Sequence, residues 1–252
     1  MGGESPRGRL TRPALAAIDA AELAFETFGA VTDGGRLRPM TNRKRREQTF
    51  RDELANAFSH GIGLVAMLAG APILVIAASD RDAWAIISAA VFATCVVLLY
   101  FSSTIYHGCR PGRLKNLFQT IDHAAIFLLI AGTYTPFTLG VLRGPWGWTL
   151  FGMIWTLAAI GIASEASGWR YAGRVSMVLY LGMGWLIVIA IRPLLDLVAP
   201  AGIALLVAGG LSYTAGVAFY ALDRVKYAHF VWHLCVLTGT TCHFFAVLMY
   251  SA

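Results

Sequence analysis

Residues 83–106 read AWAIISAAVFATCVVLLYFSSTIY, a run without a single charged side chain. A helix rising 1.5 Å per residue crosses the roughly 30 Å of bilayer hydrocarbon in about 20 residues, so this run is long enough to span. A strand of a membrane β-barrel would be about 10 residues long and alternate in polarity. This run does not alternate, and it reads as a transmembrane helix. Working outward in both directions, six further apolar runs follow the same reading: 54–78, 121–142, 146–166, 175–191, 201–222 and 230–252. The fifth span in chain order, 175–191, is the shortest. The expected fold class is an all-α integral membrane protein with seven transmembrane helices. Pro72 and Pro136 are expected to kink the first and third helices. Gly209-Gly210 marks close packing of the sixth.

Composition agrees. Of 252 residues, 57% are hydrophobic and 13% charged, against about 45–50% and about 25% in soluble domains. The net charge of +6 resembles a nucleic-acid signal, but many of the basic residues sit in the N-terminal tail and in short loops. There they set topology and meet anionic lipid, so no nucleic-acid partner is expected. Arg110, Arg113, Lys115, Arg170, Arg174, Arg224 and Lys226 fall on the tail side, joined by the cluster Arg43-Lys44-Arg45-Arg46. Only Arg81, Arg143 and Arg192 fall on the other. This asymmetry places the N-terminus in the cytoplasm and the C-terminus outside, in a multi-pass membrane protein. Two regions are expected: a flexible basic tail, 1–48, and a seven-helix membrane domain, 49–252. Within the tail, 11–28 has the caps of a short helix, with Thr11 before it and Gly29 after it. The tail lacks the short apolar core and cleavage site of a secretory signal. Cys95, Cys109, Cys235 and Cys242 form no C-x-x-C pair and read as buried small residues. Cys109, two residues after His107, is the one candidate metal neighbour among them.

Ionisable groups inside a spanning helix are costly and mark function. Here they gather at one depth, near the cytoplasmic face. His107 ends the second span with Ser103 one turn deeper, and Asp122 opens the third with His123 beside it. His229 and His233 open the seventh, and Glu53, Asn56 and His60 lie in the first turns of the first. His229-x-x-x-His233 puts two imidazoles about 40° apart on one helical face, one turn apart along the axis. Ser103-x-x-x-His107 has the same spacing. Three histidines with an open fourth position for water are the arrangement of a catalytic zinc, and a nearby Asp122 would hydrogen-bond that water and take its proton. Each piece has a bland alternative: an interfacial histidine pair, an N-cap-like Asp122 favoured by the helix dipole, a packing serine. Their common level on three helices favours the metal reading. His243 is about 15 Å beyond His233 along its helix, too deep for the same ion, and reads as a packing residue. His60 and His123 are expected as supporting or interhelical partners.

As a set, these residues resemble the hemolysin III group of the progestin and adiponectin receptor family, within a superfamily that includes alkaline ceramidases. The resemblance runs from about Glu53 to Cys242 and leaves the tail uncovered. Glu53-x-x-Asn56-x-x-x-His60 resembles the family's first-helix signature and Ser103-x-x-x-His107 its second-helix motif. Asp122 resembles the third-helix acid, and His229-x-x-x-His233 followed by His243 the last-helix motif. The resemblance implies Zn²⁺ bound by His107, His229 and His233, with Asp122 and Ser103 as catalytic residues. It also implies hydrolysis of a lipid amide, as in ceramide cleavage, with membrane lipids as partners. The competing expectation is a non-enzymatic membrane protein, pore-forming, haemolytic or receptor-like, with structural zinc closed by a fourth ligand, Asp122 or Cys109. A retinal protein would need a lysine in the last span, and 230–252 has none.

Overall fold

The computed structural model describes residues 46, 48–169, 172–222 and 224–251. The expected tail helix 11–28, and nearly all of the tail 1–48, lie outside the described residues. The described residues hold seven helices long and apolar enough to cross a membrane, and no strand. They are α1 (Phe50–Ser79), α2 (Ala83–Gly108), α3 (Arg113–Leu139), α4 (Pro145–Ala166), α5 (Ala172–Leu197), α6 (Pro200–Ala221) and α7 (Ala228–Tyr250).

The ends of the helices follow from local chemistry. Thr49 caps α1 in a capping box with Asp52, whose Oδ2 accepts from Thr49 N at 2.8 Å and from Arg46 at 2.7 Å. Asp82 caps α2, accepting from Ala85 N at 2.9 Å. Proline opens α4 and α6 at Pro145 and Pro200, where a missing N–H has no helical partner to lose. Several helices run past their apolar segments. α3 begins at Arg113, eight residues before the apolar run, so Asp122 lies within the third turn and is not an N-cap. An apolar run marks the part in hydrocarbon, whereas hydrogen bonding carries the helix on into the polar zone.

The fifth span departs most from expectation. It is an α-helix at Ala172–Gly184, a 3₁₀ segment at Leu186–Ala190 and an α-helix at Ile191–Leu197. Backbone groups freed by such a break need partners inside the membrane. Tyr134 of α3 supplies them: its hydroxyl accepts from Ile187 N at 2.9 Å and faces Met183 O at 2.8 Å and Gly184 O at 3.1 Å.

Helices α1 to α4 pack each on the next, α6 packs on α7, and α7 closes against α1. By contrast α5 touches α6 sparsely. The core holds Phe92, Phe127, Leu150 and Ile154, while Phe58, Val65 and Ile76 are each 68% exposed, forming an apolar outer face suited to lipid. Gly209 is buried and Gly210 is not. A methyl group at Gly209 would strike the His243 imidazole, so the small residue sets how closely α6 and α7 approach. At the end opposite the N-terminus of α1, Arg143 pairs with Asp82 at 2.6 Å and Trp84 meets Trp148 edge-on at 5.5 Å.

Candidate metal centre

Tyr227 adopts the left-handed conformation (φ 63°) immediately before α7, which places His229 in the first turn and His233 one turn on. His107 meets them from the last turn of α2. One ligand atom from each of His107, His229 and His233 lies within 4.8 Å of the others. His107 Nε2 and His229 Nε2 stand 3.3 Å apart. Nitrogen ligands at about 2.0–2.1 Å from a tetrahedral ion are separated by about 3.3–3.4 Å, so this edge fits an ion, and the remaining edges are no longer than 4.8 Å. Imidazole nitrogens suit zinc, copper, iron and nickel. The three histidines could hold a metal ion.

Nδ1 of two histidines is already engaged. His107 Nδ1 is 2.7 Å from Glu53 Oε2, and His233 Nδ1 is 3.2 Å from both the Asn56 carbonyl oxygen and Ser59 Oγ. His60 stacks on His233 at 3.7 Å and 15°, and the tilted Tyr100 ring lies 5.0 Å from it.

Asp122 is buried in α3, its carboxyl directed toward Ser103 and within the field of His107 and His123. It is not part of the group of mutually close ligand atoms, and neither is Cys109, which caps the end of α2. Ser103 and His60 are buried beside the cluster, Ser103 against the Asp122 carboxyl and His60 against the His233 ring. His243 lies apart, its Nε2 facing Leu206 O at 3.3 Å.

Immediately deeper lies an apolar cavity of about 90 Å³. Its lining includes Leu99, Ile126 and Val236, each about a turn beyond Ser103, Asp122 and His233 respectively, and it reaches His243. Trp185 of α5 and Thr214 of α6 flank it and hydrogen-bond to each other at 3.1 Å.

Two groups of residues gain roles the sequence did not assign. Glu53 stood out by depth and as part of the first-helix signature, without a role of its own, yet it contacts His107 and, at 2.9 Å, Lys115 of α3. Glu165, the lone carboxylate in α4, meets Ser176 of α5 and lies 3.7 Å from His123 Nδ1. Its isolation in an apolar span was the available signal. The His123 carbonyl accepts from Tyr180 at 2.7 Å, so His123 does serve as an interhelical partner.

The family model described as "Haemolysin-III related" matches residues 48–244. The chain is 43% identical to Hemolysin-3 of Bacillus cereus over 207 residues, covering 82% of this chain and 94% of that one. It is 41% identical to the Hemolysin-3 homolog of Bacillus subtilis (strain 168) over 203 residues, 80% and 95% of the two chains. A more distant similarity, 28% over 216 residues and 82% and 87% of the chains, is to the human monocyte to macrophage differentiation factor.

Proposed function

The chain belongs to the haemolysin-III-related family, as a multi-pass integral membrane protein of the bacterial cytoplasmic membrane, and on that premise we propose that it is a zinc-dependent hydrolase cleaving a lipid amide. The observation that carries this reading is the juxtaposition of the three-histidine cluster with the apolar cavity beneath it. A bound ion would supply Lewis acidity and ease deprotonation of water near neutral pH. His107, His229 and His233 would hold it, and among the described residues no fourth histidine, cysteine or carboxylate joins their group, which suits an open rather than a closed site.

The other residues have defined tasks. Asp122, buried beside Ser103, takes the proton of the attacking water and returns it to the leaving nitrogen. Ser103 Oγ, buried beside the Asp122 carboxyl, donates to the substrate carbonyl oxygen as charge develops there. The cavity takes an acyl chain, entering from the bilayer between α5 and α6, where contacts are sparse. The excess of basic residues at the histidine end supports a cytoplasmic N-terminus, with the site in the inner leaflet. The tail 1–48 is then a cytoplasmic appendage of the membrane domain.

The test is hydrolysis of a fluorescent N-acyl sphingosine in proteoliposomes. His233→Ala, folded and monodisperse, is expected to abolish turnover, and Asp122→Asn to slow it about 10²- to 10⁴-fold. Wild-type rates in folded His233→Ala would end the proposal. The relatives' names favour a second reading, membrane lysis. Dye leakage from liposomes that is equal for wild type and His233→Ala, with no amide turnover by either, would select it.

A further inference from the structure

The first-helix segment Glu53-x-x-Asn56 contributes no atom to the histidine cluster, although sequence and structure both place it there. We infer that this segment is the positioning element of the site: the Glu53 carboxylate and the Asn56 backbone carbonyl hold His107 and His233 in the tautomer whose Nε2 faces the centre. The inference rests on the metal reading above.

The chemistry is one of donors and acceptors. A carboxylate only accepts, so a neutral His107 facing Glu53 Oε2 at 2.7 Å carries its proton on Nδ1 and leaves the lone pair on Nε2. A backbone carbonyl also only accepts. The Asn56 oxygen, 3.2 Å from His233 Nδ1, imposes the same choice on that ring. Ser59 Oγ donates to the same carbonyl at 2.8 Å, which turns its own lone pairs toward His233 Nδ1. Glu53 and Asn56 are three residues apart, so one face of α1 serves both rings.

Glu53 is itself held. Lys115 of α3 reaches Glu53 Oε1 at 2.9 Å and the Tyr106 carbonyl at the end of α2 at 3.0 Å. One ammonium group thereby ties three helices around His107, whose side chain is fully buried. The Asn56 side chain points elsewhere, its Nδ2 donating to Gln48 at 2.9 Å. The two residues of the motif therefore act differently, Glu53 through its side chain and Asn56 through its backbone.

The experiment is cobalt(II) titration of the purified full chain after chelator treatment, read by visible absorption. Wild type is expected to bind one ion per chain. Groups that orient metal-bound histidines typically contribute 10- to 100-fold in affinity, and Glu53→Gln is expected to lose about that much. Its bands at saturating cobalt should also shift, which a general loss of stability does not produce. Asn56→Ala, which keeps the carbonyl, should bind near the wild-type level. Lys115→Met should weaken binding in the same direction as Glu53→Gln, and it carries the test if Glu53→Gln does not fold. If wild type binds no cobalt, the metal reading falls and this inference with it. If wild type binds and folded Glu53→Gln matches it in affinity and spectrum, the positioning role alone is overturned.

Discussion

Replacing Tyr134 with Phe removes one oxygen and little else, which makes it a sharp probe of the break in α5. That oxygen is the acceptor for Ile187 N at 2.9 Å and lies 2.8 Å from Met183 O and 3.1 Å from Gly184 O. The ring is buried and lines the apolar cavity, so water does not readily replace the hydroxyl. Leaving one buried backbone donor unsatisfied costs about 1–3 kcal/mol. For a chain of this size about 2 kcal/mol corresponds to roughly 4–8 °C in Tm. The assay is thermal unfolding in detergent, followed by a thiol-reactive dye that reports exposure of the buried Cys95. A Tm within about 1 °C of wild type, against the 4–8 °C estimated for this loss, would show that the hydroxyl does not hold the break.

Two further outcomes test packing and charge. Gly209→Ala should destabilise by about 1–3 kcal/mol, because its methyl meets the His243 ring and the Gly239 carbonyl at 3.1 Å. Gly210→Ala, with nothing within 4 Å, should be neutral or stabilise by up to about 1 kcal/mol, and equal Tm shifts for the two would refute this account of α6 packing. At the opposite end, the Ala85 N–H and then the Arg143 guanidinium hold the Asp82 carboxyl below its ordinary value of 3.8. A depressed carboxylate contributes stability above its unfolded pKa and loses it as pH falls through the folded value. Tm of wild type should therefore drop more than that of Asp82→Asn as pH is lowered from 5 to below about 4; parallel curves would exclude the contribution.

Seven crossings, and the common level of His107, His229, His233, Asp122 and Glu53, follow from the amino-acid order alone. Both are axial quantities: a run of apolar residues sets a length, and a fixed rise per residue sets a depth. The helix period also gives the relative angle of His229 and His233 on one helix. It says nothing about which neighbour that face meets. Tertiary structure decided that Glu53 meets His107, 54 residues away, and that Ser59 meets His233, 174 residues away. It likewise decided that α3 starts well before its apolar run, making Asp122 an interior residue, and that α5 breaks where Tyr134 of another helix offers a hydroxyl. Hydropathy carries no trace of that break, because Leu186–Ala190 is as apolar as the helix around it. Depth within a membrane is local information, whereas azimuth and neighbour order arise only when the helices pack.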